Sequence, residues 1–407
     1  MDPVPEPQSK ARAGLYIHVP FCRSVCPYCD FAVTIAGEPR RDDWVESVVL
    51  EARGSAHLGL QFDTVYLGGG TPSSLHRDQL AAIFEGVRDE LEISDNVEYF
   101  LEANPEDVTR ESADTWRRLG VSSLSLGVQS FDDEALAFLG RNHDGAEARR
   151  AAEIFLNAGF RTVSVDLIFG LPGQTIDHWR RDLETAVAIG ADHISCYQLT
   201  FHRSTIFGNR LRRGQVEELD EGIQAELFHH THRVLTDAGY EAYEVSNFAV
   251  GSDHRSRHNQ KYWDHTPYLG LGPSAHSFVG SRRWWNLRKV RLWSAAVRRG
   301  TEPVEASEDL TPSDLLMERL ALGLRTTDGV DLEALRRQYA VDLFAANRRL
   351  LDDLAGEGLV RVDGARVRPT VAGLAVADGL VRSFEVPDQA PRRATIPRSE
   401  GEGSDGK

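Results

Sequence analysis

Between residues 14 and 200, short runs rich in β-branched and aromatic residues alternate six times with longer amphipathic stretches. The two patterns differ in period, because strand side chains change face at every residue while a helix presents one face every three to four. GLYIHVPFC, DTVYLGGG, VEYFLEANP, SSLSLGVQS, TVSVDLIFG and HISCYQLT read as strands, and residues 41–56, 77–91, 110–119, 145–158 and 176–189 read as helices. Strands joined by helical crossovers return parallel to one another, and their near-continuous apolar character marks a sheet covered on its faces. The expected fold class is therefore α/β, with a parallel sheet either open or curled into a partial barrel.

Charge and composition remove several functions. A net charge of −16 over 407 residues disfavours a nucleic-acid partner, leaving residues 282–298 as a local basic patch. No run of 18 apolar residues is present, so no transmembrane segment is expected and membrane contact would be peripheral. The opening MDPVPEPQSKAR lacks the apolar core of a secretory signal, which predicts a cytoplasmic protein. Four cysteines, three of them within eight residues, do not make a disulfide framework; in a reducing compartment such clustering points to metal.

Cys22, Cys26 and Cys29 follow the first strand in C-x3-C-x2-C spacing. Three thiolates on one loop can hold three irons of a cubane and leave the fourth open, whereas zinc favours four closed ligands with paired spacing. An open iron can chelate an amine and a carboxylate, as radical S-adenosylmethionine (SAM) proteins do, and this spacing with Tyr28 before the last cysteine resembles their signature. Gly68, Gly69 and Gly70, with Thr71 and Pro72, end the second strand, where glycine lets backbone approach a ligand. Glu102 with Asn104, Gln129 with Ser130, and Asp166 stand at the carboxyl ends of the next three strands, the edge at which parallel sheets bind ligands. Taken singly, each has an ordinary structural explanation. Their convergence is the signal.

In order, YIHVPFC, CPYC, GGGTP, EANP, SLGVQSF, GRNH and DLIFGLPGQT resemble the family of oxygen-independent coproporphyrinogen III oxidase and the heme chaperones HemW, from about residue 14 to 384. The resemblance implies a radical SAM partial (β/α)6 barrel with a C-terminal helical, winged-helix-like domain. It implies a [4Fe–4S] cluster on the three cysteines, and SAM contacts at Tyr16, Gly70, Thr71, Glu102, Gln129, Arg141 and Asp166. Two features favour the chaperone branch. The oxidase motif carries a fourth cysteine where this chain has Phe31, and HNQKYW, residues 258–263, looks like the HNxxYW motif associated with heme. The resemblance thus makes His258 a heme ligand, with Tyr262 and Trp263 offering aromatic faces. It implies transfer of heme to acceptor hemoproteins, at the membrane surface or away from it, and leaves a homodimer open. The alternative is the oxidase reaction, radical decarboxylation of coproporphyrinogen III. Ser123 departs from the family, which commonly has arginine there.

The expected organisation is a flexible N-terminus over 1–12, the radical SAM core over 13–205 and an excursion from the sheet over 206–305 that holds HNQKYW. A helix–helix–helix–hairpin–helix domain over 306–384 and a disordered tail over 385–407 complete it. Cys196 reads as a small core residue. His229, His230 and His232 read as belonging to a solvated helix.

Overall fold

The structure is a computed structural model describing residues 12–35 and 37–387. The flexible start and disordered tail expected above lie mostly outside the described residues. The six expected strands are present as β1 (Ala13–Val19), β2 (Gln61–Gly69), β3 (Glu92–Ala103), β4 (Val121–Gln129), β5 (Thr162–Phe169) and β6 (His193–Gln198). The crossovers are α1 (Glu38–Ser55), α2 (Arg77–Glu90), α3 (Arg110–Arg118), α4 (Asp133–Leu139), α5 (Gly145–Ala158) and α6 (Ile176–Ile189). The sequence reading passed over α4, whose seven residues are too few to show a helical period. Helix ends follow local chemistry: the Asp144 side chain caps α5 in a reciprocal box with Glu147, and Gly159 ends it in the left-handed region.

Alternation along each strand sorts the side chains. Leu15, Ile17, Val65, Leu67, Leu124, Leu126, Val163, Val165, Ile194 and Cys196 point outward into one apolar layer with Trp44, Phe84, Phe155 and Trp179. Cys196, 2% exposed, is the core residue expected. The inward positions form the lumen.

The next segment differs from the expected excursion. It begins with α7 (Ile206–Arg212), α8 (Glu221–Asp237), β7 (Glu241–Ala242), β8 (Asn247–Ala249) and α9 (Arg257–Asp264). It continues through β9 (Tyr268–Leu271), β10 (His276–Val279), β11 (Arg282–Asn286), α10 (Val290–Arg298) and β12 (Val304–Asp309). All its strands join the main sheet, in the order β12-β11-β10-β9-β1-β2-β3-β4-β5-β6-β8-β7. β9 pairs parallel with β1, with Tyr16 opposite Gly270, so it adds a strand to the parallel set. Four-residue strands separated by glycines leave too short a pattern to read as sheet. The expectation for α8 also needs correction: His230 and His232 are 7% and 3% exposed, because α8 lays that face on α6 and Phe248.

The C-terminal unit has its own core around Leu316, Leu320, Leu335 and Leu354. It comprises α11 (Pro312–Gly323), β13 (Val330–Asp331), α12 (Leu332–Tyr339), α13 (Leu343–Ala346), α14 (Arg348–Gly356), β14 (Val360–Asp363), β15 (Arg366–Pro369), α15 (Val371–Ala375) and α16 (Ala377–Ser383). Helices beside the antiparallel sheet β13-β15-β14 give the expected winged-helix-like form. Among the described residues, no helix is long and apolar enough to cross a membrane.

Candidate cluster and cofactor site

The cysteine loop leaves β1 and is tied at both ends. Cys22 N donates to Thr34 O at 3.1 Å and Thr34 N donates to Pro20 O at 2.7 Å, while Cys29 N closes a turn on Cys26 O. Gly70 N and Thr71 N donate to Val19 O and Phe21 O, laying the glycine run against the loop. A Cβ on Gly70 would lie 2.7 Å from Phe21 O and 3.1 Å from Cys22 Sγ, so glycine is required there for a close approach.

Two donors reach the sulfurs: Thr71 Oγ1 to Cys22 Sγ and the Arg141 guanidinium to Cys26 Sγ, each at 3.5 Å. Burial raises the Cys22 thiol and pushes Cys29 up to about 11, so without a cation these thiols stay protonated. A bound metal reverses that preference. Among the described residues, no three His, Cys, Asp or Glu side chains are placed to share one ion. Three thiols on one loop are a donor set for a cluster whose cysteines bind separate irons.

The thiols open on a cavity of about 470 Å³. Nine of the eleven expected residues line it: Cys22, Cys26, Cys29, Gly70, Thr71, Glu102, Gln129, Arg141 and Asp166. Glu102 accepts from Tyr66 OH at 2.8 Å and Gly69 N at 3.0 Å, and burial still pushes it up to about 7. Asp166 accepts from Ser125 and Ser164, and burial raises it as well. Arg141 donates to Asn104 Oδ1 and Gly127 O at 2.7 and 2.8 Å, while its buried Nε has no hydrogen-bond partner. Gln129 sits at φ 70°, a strained conformation for a residue with a Cβ, and such strain gathers at functional sites.

Two expected residues lie elsewhere. Tyr16 does not line the cavity; its ring stacks on Tyr66 and its hydroxyl is 3.2 Å from His18 Nδ1. His258, expected as a heme ligand, lies in α9, 1% exposed. Its Nδ1 is 2.9 Å from Thr64 Oγ1 and its Nε2 is 2.8 Å from Tyr262 OH, so neither nitrogen is presented to an iron. Tyr262 and Trp263 pack on Tyr268 and Tyr243 rather than framing a cleft.

Sequence reasoning missed the hydroxyl wall. Ser123, Ser125, Thr162, Ser164 and Ser195 line the cavity from β4, β5 and β6. Their signal emerges once the strands are aligned, since inward positions of buried parallel strands are ordinarily Val, Ile or Leu. The departure at Ser123 is also accounted for. Ser123 Oγ donates to Glu98 Oε1 at 2.6 Å, and the cation beside Glu98 comes from Arg257, 3.5 Å away.

Residues 16–186 match the Radical SAM superfamily, and residues 310–376 match the HemN C-terminal domain. The heme chaperone HemW of Bacillus subtilis is 32% identical over 372 residues, covering 91% of this chain and 98% of that protein. The heme chaperone HemW of Mycobacterium tuberculosis (strain H37Rv) is 36% identical over 376 residues, covering 91% and 94%. Among solved structures, the coproporphyrinogen III oxidase HemN of Escherichia coli, a radical SAM enzyme, superposes with a TM-score of 0.80 at 23% identity, covering 92% and 91%. That likeness speaks for the fold alone.

Proposed function

The chain belongs to the heme chaperone HemW family of radical SAM proteins, and from that premise we propose that it is a cytoplasmic chaperone that binds heme and passes it to acceptor hemoproteins. In this reading Cys22, Cys26 and Cys29 hold a [4Fe–4S] cluster, and SAM occupies the adjoining cavity.

The observation that carries the cofactor reading is the meeting of three thiols, a glycine cradle and two half-buried carboxyls around one cavity. A cubane with one iron free of cysteine supplies the coordination site and the electron on which SAM chemistry depends. The chain's own groups do the rest. Gly69 and Gly70 keep side chains away from the cluster loop, and Arg141 and Asn104 fix the ends of β3 and β4 against it. Asp166 and Glu102 supply acceptors for hydroxyl and ammonium donors. A cation bound beside Glu102 would favour its ionised form and draw its pKa below 7.

Support for the chaperone over the oxidase is the identity to the two chaperones over nine-tenths of the chain, with Phe31 replacing the fourth cysteine. Phe31, 60% exposed, and Val25 both line the cavity, apolar surface of the kind a porphyrin covers. The test is anaerobic reconstitution followed by heme titration at the Soret band, then incubation with coproporphyrinogen III, SAM and a reductant. Stoichiometric heme binding without decarboxylated product is expected. Product formation without specific heme binding would overturn the proposal in favour of the oxidase.

A further inference from the structure

Helix α9, which carries HNQKYW, is fastened to the amino ends of the first barrel strands. Arg257 Nη2 lies 2.7 Å from Asp63 Oδ2, and Lys261 Nζ lies 2.8 Å from Asp63 Oδ1 while donating to Arg12 O. Gly14 gives the helix room, since a Cβ there would stand 3.0 Å from Lys261 Cδ and 3.1 Å from the His258 ring. The helix is thus a floor beneath β1 and β2. His258 rises from it into the lumen.

A neutral imidazole has one N–H and one lone pair, and here both nitrogens are engaged, by Thr64 and Tyr262. The ring lies against Tyr66, centroids 5.1 Å apart and planes at 29°. Tyr66 is held on its other sides by Tyr16 and Phe100, and its hydroxyl donates to Glu102. Glu102 in turn accepts from Gly69 N in the glycine cradle. The contacts are continuous from motif to cavity.

We infer that His258 is a positioning residue for the SAM cradle, acting through Tyr66 on Glu102, and that it does not ligate heme iron. The inference rests on the reading that this cavity takes SAM. Ligation would require the ring to give up a hydrogen bond to Thr64 or Tyr262 and leave a site 1% exposed.

The experiment uses the cluster-loaded full chain and two readouts: SAM affinity by equilibrium dialysis, and the heme Soret band. His258→Ala is expected to weaken SAM binding about tenfold, with heme stoichiometry and Soret position unchanged. Tyr66→Phe keeps the ring but removes the hydroxyl, and should give a similar loss. The double variant should lose no more than the weaker-binding single, because both changes act on one path. A defect in packing alone would add instead. If His258→Ala does not fold, His258→Gln, which retains an amide for Thr64 or Tyr262, carries the same comparison. Unchanged SAM affinity in the His258 variant, or a lost or shifted Soret band, would overturn the inference alone. A wild-type protein that assembles its cluster but binds no SAM would overturn the cradle reading and this inference with it.

Discussion

The two halves of the barrel lumen share a backbone plan and differ in what fills them. On β1 to β3, Tyr16, Tyr66 and Phe100 stand in register as an aromatic ladder. On β4 to β6 Ser123, Ser125, Gly127, Thr162, Ser164 and Ser195 take inward places beside Asp166, His193 and Tyr197, and the cavity runs along them. Parallel strands place an inward side chain at every second residue on both halves, so side-chain volume decides where the lumen stays open, and Tyr66, Phe100 and Glu102 of the packed half form the cavity's other wall. The small residues carry hydroxyls because a lumen wall of alanine would leave the Asp166 carboxylate with no donors. Ser125 and Ser164 supply them.

Emptying the packed half should have the largest effect. Phe100→Ala removes a ring that is 8% exposed and should cost about 4 kcal/mol of unfolding free energy, read from urea titration. A loss below about 1 kcal/mol would mean that the aromatic ladder is not core.

The cavity wall on the packed half should show itself through pH, at Glu102 of β3. Glu102 is held near 7 in the fold against an ordinary value of 4.5, so the folded state binds the proton more tightly. Its contribution to stability is complete below 4.5 and is lost as pH rises through 7, up to about 3 kcal/mol in the ligand-free protein. Glu102→Gln should flatten that part of the stability profile. An unchanged profile would place the titration elsewhere.

Filling the open half sharpens the contrast from the other side. Ser125→Leu puts an apolar chain where Asp166 receives a donor, and should lower SAM affinity by about two orders of magnitude while the cluster's visible absorption persists. The smallest effect is expected at the boundary. Ser123→Ala leaves Glu98 with the Arg257 guanidinium, and should cost about 1 kcal/mol in thermal unfolding with SAM affinity unchanged.

Legibility in the sequence followed the length of the pattern. The six long strands and five of their helices showed their periods, and α5 and α6 emerged with the expected bounds. Short elements did not, and α4 and β9 were missed because four to seven residues complete too few repeats to separate strand from helix or loop. At the site, residues whose chemistry is unusual at a strand end stood out, among them Glu102, Asp166 and the glycine run. Ser125, Ser164 and Ser195 did not, because serine is common everywhere and becomes informative only when three strands align it.

By itself, then, the sequence determined the parallel α/β core, the cysteine loop on β1 and the edge of the sheet where polar residues gather. These depend on near neighbours in the chain, through strand alternation, helical period and loop spacing. Only the tertiary structure decided that residues 206–305 return to the sheet, that Arg257 supplies the cation beside Glu98, and that His258 is closed on both nitrogens. Those partners lie from four residues away (Tyr262 from His258) to 254 residues away (Tyr268 from Gly14). Local pattern shows which side chain is present, but its protonation and availability are set by whatever the fold packs against it.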